Sequence, residues 1–172
     1  VVASHVIEHV PDTIGWLREI GDLLNPGGSL RLAIPDKRYT FDVHRPLTTF
    51  SELLDCYFSR LRRPSYRHVY EMTVSFVKAE AEVLWRGGDP PPAEKVLSSE
   101  ELRLMAERIR RGEYIDVHCH TFTPDSFLAH FKQMSELGLC ELELAAIYPT
   151  PRGEAEFHAH LYKPRQPGRW KD

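Results

Sequence analysis

No stretch of the 172 residues approaches the ~20 consecutive apolar positions of a membrane-spanning helix, and no basic-then-apolar leader opens the chain. No membrane partner is expected. Cysteine is scarce: Cys56, Cys119 and Cys140 are odd in number and widely spaced, which speaks against both a disulfide framework and a zinc knuckle and fits a reducing, cytoplasmic setting. Excess charge is lacking too. A formal net charge of -3 and a pI near 6.3 supply no general attraction for nucleic acid, so no nucleic-acid partner is expected. There is no internal repeat.

What is present is an ordinary globular composition, 42% hydrophobic, in a length that suits one domain over residues 1–172. The chain is organised around its first thirty-five residues. Val1 to Ala3 read as a strand, the polar cluster His5 to Pro11 follows, and Asp12 is placed to cap a helix with Ile14, Leu17, Ile20 and Leu24 on one face. Asn25-Pro26-Gly27-Gly28 stops that helix, and Leu30 to Ile34 form a second strand. A strand, a helical crossover and a strand make a parallel β-α-β unit. Ligands of open parallel sheets bind outside the carboxyl ends of the strands, which assigns His5 to Pro11 and Asp36 to Arg45 to one functional edge.

Pro35 to Asp42 are too polar for a strand and read as an ordered loop. From Thr48 to Trp85 the apolar spacing predicts two helices broken at Pro64, followed by a surface loop over Arg86 to Pro92. Ser98 with Glu101 forms a capping box for a third helix ending before Gly112, so residues 48–111 constitute a helical insertion. Thr123 with Pro124 starts a further helix, with Phe127, Leu128, Phe131 and Met134 facing inward until Gly138. A helix packed antiparallel to the strands starts at their carboxyl edge, so Asp116 to Phe122 should line the same cleft. Leu139 to Tyr148 and Ala155 to Tyr162 then close the fold as a hairpin, the second strand alternating Phe157, Ala159 and Leu161 with solvent-facing His158 and His160.

The segments SHVIEHVPD, LREIGDLLNPGG and SLRLAIPD, in this order and spacing, resemble class I S-adenosylmethionine-dependent methyltransferases of the small-molecule branch that includes the type 11 and ubiquinone-biosynthesis families. The resemblance implies an α/β fold: a partial Rossmann-like sheet whose strands correspond to the family's fourth to seventh, with residues 48–111 as a lid that selects a small-molecule acceptor. It also implies S-adenosylmethionine as cofactor, touched by Ser4, His5 and Val6, while Glu8 and His9 hold the turn's own hydrogen bonds. The family's glycine-rich loop and the acidic residue after its second strand have no counterpart here, and Val1 stands where an initiator Met would be expected. The chain is therefore expected to be the C-terminal half of the fold. Its first strand then becomes an apolar sheet edge, ready to pair with a second copy or with the missing half. A noncatalytic remnant or partner-binding module is the alternative reading.

Two motifs invite a metal, and each fails on context. His5-x-x-Glu8-His9 has the form of an inverted zinc-protease motif, but that motif needs a helix through both histidines, and Pro11 follows too closely. Asp116-x-His118-x-His120 has the form of an amidohydrolase ligand set, but only fifty-two residues follow His120, too few for a barrel of ~250. No metal is expected. Methyl transfer asks mainly for in-line placement, sometimes with a base, for which His118, His120 and His44 are the candidates. Histidines that merely cap a loop at the sheet edge are the plainer alternative. Asp36, Lys37, Arg38 and Arg45 form a dense polar loop suited to an anionic or glycan-like acceptor. Equally, Asp36 and Arg38 could pair with each other and fix the loop.

Overall fold

The computed structural model describes residues 1–93 and 97–165. Four strands form one mixed sheet: β1 (Val2–Ser4), β2 (Ser29–Pro35), β3 (Glu143–Tyr148) and β4 (Glu156–Tyr162), in the order β1-β2-β4-β3. β1 runs parallel to β2, with Ala3 opposite Leu32, as the crossover requires. The final strand inserts antiparallel between β2 and β3, so that Leu30, Leu32 and Ile34 stand opposite Leu161, Ala159 and Phe157. One sheet face is thereby apolar from edge to edge.

Two helices cover that face. α1 (Thr13–Leu23) begins where the Asp12 carboxylate accepts from the Gly15 amide at 2.8 Å, and it ends ahead of a turn in which Gly27 adopts φ +84°, a conformation natural to glycine. α6 (Pro124–Glu136) is capped by Thr123 and starts on Pro124, whose missing N–H costs nothing in a first turn. Ile14 and Leu17 of α1, Phe127, Phe131 and Met134 of α6, and the inward residues of β2 and β4 share one core. Before β3, Cys140 and Leu142 also bury into it, so the strand starts at Glu143 rather than at the expected Leu139. The opposite face is uncovered among the described residues. There Val2, Ser4, Arg31, His158 and His160 line a groove of about 420 Å³. β1 is an edge strand, and Val2 is 77% exposed.

The insertion differs from its expected form. Residues 48–85 hold three helices rather than two: α2 (Phe50–Phe58), α3 (Tyr66–Ser75) and α4 (Ala81–Trp85). α3 stops because Phe76 turns extended (φ −62°, ψ 134°), which sinks Val77 completely and lays the Phe76 ring 5.3 Å from that of Phe41. Burying Val77 and packing Phe76 against Phe41 outweigh one more turn of a helix whose end, Thr73-Val74-Ser75, has weak propensity. α5 (Ser99–Arg110) carries the expected Ser98–Glu101 capping box. Val69 of α3, Met105 of α5 and the returning Val117 and Cys119 make a second, smaller core. No helix among the described residues is long and apolar enough to cross a membrane.

Candidate active site

Three chain segments converge at the carboxyl end of β1 and β2. After β1 the backbone turns through His5 in the left-handed region (φ +53°) into a single 3-10 turn, Ile7–His9. After β2, Asp36 caps a second 3-10 turn, Lys37–Tyr39. The third segment, residues 116–122, runs in from the insertion. The Cys119 and His120 amides donate to the Glu8 carbonyl at 2.6 and 3.1 Å, the Lys37 amide donates to the Phe122 carbonyl at 2.9 Å, and the Thr48 amide donates to the Thr121 carbonyl at 3.3 Å. The insertion closes over the second segment. Trp85 stacks on Tyr39 at 4.0 Å, and His44 Nε2 donates to the Pro91 carbonyl at 2.7 Å.

The candidate residues divide by what they touch. Ser4, His5 and Val6 are exposed at the end of β1, open to a ligand. Asp36 is fully buried and saturated: it accepts from the Arg38 amide and guanidinium and from the Thr150 hydroxyl. The pairing of Asp36 with Arg38 is thus realised, and the pair fixes the loop. Arg45 is buried as well, and donates to Asp42 and to the His118 and Cys119 carbonyls, so its charge serves the protein's own backbone. Lys37 is half-buried with Nζ on the Val43 carbonyl, and burial pulls its ammonium below the ordinary value.

Among the histidines, His44 is exposed and held by Pro91. His120 is enclosed, 1% exposed, with Nε2 donating to the Pro11 carbonyl, and burial pushes its pKa down to about 3. It is a neutral structural residue at any ordinary pH. His118 is different. Its Nδ1 lies 2.5 Å from Asp42, which orients the ring and leaves Nε2 as the acceptor atom. Burial alone would raise the Asp42 carboxyl, but the His118 hydrogen bond and the Arg45 charge outweigh it and hold Asp42 below its usual value.

Two members of this site were not assigned from the sequence. Asp42 lies 76 residues from His118, and Asp116, 107 residues from His9, accepts from His9 Nδ1 at 3.0 Å. Asp42 gave no signal beyond membership of a loop assigned to the cleft, while Asp116 headed the Asp116-x-His118-x-His120 pattern without its partner being legible. The expectation that Glu8 and His9 hold the turn's own hydrogen bonds is corrected. His9 reaches across to another segment, and the Glu8 carboxylate, 1% exposed, has no hydrogen-bond partner on either oxygen.

The architecture defines an α/β domain with its loops gathered at the carboxyl ends of the parallel strands. The chain belongs to the methyltransferase domain family, which it matches over residues 1–134. No curated protein and no solved structure matches it.

Proposed function

We propose that this chain carries out, or contributes half of, S-adenosylmethionine-dependent methyl transfer to a small-molecule acceptor, in the manner of the type 11 and ubiquinone-biosynthesis branch. The observation that carries the reading is the meeting of the turn after β1, the loop after β2 and residues 116–122 at one edge, in a chain of this family. The residues present fit one wall of the cofactor site. Ser4, His5 and Val6 stand exposed at the strand end, and His5 is held in a left-handed conformation that costs on the order of 1–3 kcal/mol, a strain typical of ligand-contacting turns. A glycine-rich Gly-x-Gly-x-Gly loop does not occur within residues 1–172, so the other wall is assigned to a segment outside this sequence.

Bound there, S-adenosylmethionine supplies an electrophilic methyl group on a sulfonium. The chain's part is placement. His118, oriented by Asp42, is the residue this reading casts as the acceptor's base, and the Tyr39–Trp85 stack under the insertion is its wall for the acceptor. Half-exposed Lys37 favours an anionic or glycan-like acceptor. The buried, unpaired thiols of Cys56, Cys119 and Cys140 suit a reducing cytoplasm.

An amide NMR titration with S-adenosylhomocysteine tests the reading. Shifts concentrated at Ser4, His5 and Val6 are the expected result, whereas an unchanged spectrum would favour the noncatalytic, partner-binding alternative. The exposed β1 edge should pair with a second copy or with the outside segment. A monomer at high concentration in sedimentation would count against that pairing.

A further inference from the structure

We infer that Glu8, His9 and His118 form a binding site for a divalent transition-metal ion of the zinc type. The Glu8 Oε1 atom is the centre of a ring of imidazole nitrogens: His5 Nδ1 at 3.7 Å, His9 Nε2 at 3.9 Å and His118 Nε2 at 3.9 Å. These separations are too long for hydrogen bonds. They are close to what an ion needs, since ligands about 2.1 Å from a tetrahedral zinc stand roughly 3.4 Å from one another. Between Glu8 Oε1 and the His9 and His118 nitrogens, closure of a few tenths of an ångström would suffice. The ligand atoms of Glu8, His9 and His118 already lie within 4.8 Å of one another.

The outer partners fix which nitrogen faces inward. His9 Nδ1 lies 3.0 Å from Asp116, His118 Nδ1 2.5 Å from Asp42, and His5 Nε2 2.5 Å from Glu156. In each pair the ring N–H donates to the carboxylate, so the opposite nitrogen directs a lone pair toward Glu8. A carboxylate behind each imidazole is the usual outer shell of a histidine-bound metal. The charges agree: Glu8, Asp42, Asp116 and Glu156 gather around the imidazoles, with Arg45 beside Asp42. An unpaired buried carboxylate is costly unless it is protonated or meets a cation, and burial does raise the Glu8 carboxyl. Imidazole-rich sites with one carboxylate suit zinc, iron or cobalt rather than magnesium.

Neither sequence motif is used whole. The fold takes Glu8 and His9 from the first and His118 from the second, and discards the helix and the barrel that each would have needed. The other histidine cluster, Cys56, His68 and His120, is unlike this one. There His68 Nδ1 accepts from the Ser65 amide and His120 Nε2 donates to Pro11, so backbone groups satisfy the rings and no carboxylate stands among the ligands. With an ion in place His118 becomes a ligand, the three protein ligands leave a fourth position open, and an acceptor hydroxyl bound there would pass its proton to solvent water. That consequence rests on the methyl-transfer reading; the binding itself does not.

The test is a titration of the tag-free chain with Co²⁺, followed by displacement with Zn²⁺, without any cofactor or acceptor present. One equivalent of Co²⁺ with the intense visible absorption of a low-coordinate site is expected. Glu8→Gln keeps the shape while removing the buried charge, and should weaken binding by more than about 100-fold; Asp116→Asn, which loosens His9 only, should cost roughly 10-fold. His68→Gln should leave binding unchanged. Absence of a stoichiometric site, or binding indifferent to Glu8→Gln in a variant that circular dichroism shows to be folded, would overturn the proposal.

Discussion

The sheet and the insertion are built on different principles. Under α1 and α6 lies one continuous core, where Phe157, Leu161, Leu30 and Ile34 are entirely buried. The insertion has a small apolar cluster around Val69 and Met105, and its surface is laced with exposed pairs such as Arg103 with Glu107 and Arg67 with Glu71. Exposed pairs of this kind contribute little. The comparison teaches that the main core belongs to the sheet and its two helices, with α2 sending Leu53 into it, while the rest of the insertion rests on a smaller cluster. The buried polar groups gather at the seam between the two.

The sharpest way to break that comparison is to truncate one buried residue on each side. Phe157→Ala should cost about 3–5 kcal/mol in urea unfolding, and Met105→Ala nearer to about 2 kcal/mol. Equal losses would mean that the two regions share one core after all. Between these in size stands a pH effect located in the insertion. The His68 imidazole ordinarily titrates near 6.5, but burial first, and then the Arg45 charge, push it down to about 4 in the folded chain. Between those two pH values the unfolded state binds more protons, so stability is full above pH 6.5 and declines as pH falls toward 4, by about 3 kcal/mol in all. In His68→Gln the slope of unfolding free energy against pH should flatten across this window.

Smaller effects sharpen the contrast. Thr123→Ala removes the hydroxyl that accepts from the Ser126 amide at the start of α6, and should lower stability by about 1 kcal/mol. Arg103→Ala breaks an exposed pair one turn long, and should change stability by less than about 0.5 kcal/mol. A loss as large as that from Thr123→Ala would show that surface charge holds the insertion together. Thermal unfolding of both variants in parallel gives the answer.

The helix starts were legible because each is a local device. Asp12, Ser98 with Glu101, and Thr123 with Pro124 act through bonds three residues long, and all three appear where the sequence places them. The end of α3 was not legible: its apolar spacing continues past Ser75, and only the pocket against Phe41 draws Phe76 out of the helix. The cleft shows the same division. That three polar stretches share one edge follows from the β-α-β crossover and the direction of α6. That Thr150 completes the shell of Asp36, that Arg45 donates to the His118 and Cys119 carbonyls, and that His120 is sealed while His118 is oriented, depended on partners far along the chain.

By itself, then, the order of the residues determined the parallel pair β1 and β2, the capped helices, the alternating final strand and the carboxyl edge as the meeting place of three polar segments. All of these depend on periodicity and on contacts within a few residues. Only the tertiary structure decided that β4 lies between β2 and β3, and that Glu8 sits among His5, His9 and His118 with no hydrogen bond of its own. Glu156 reaches His5 across 151 residues, and Asp42 reaches His118 across 76. Such pairings carry no local signature, because what selects them is the packing of the whole sheet.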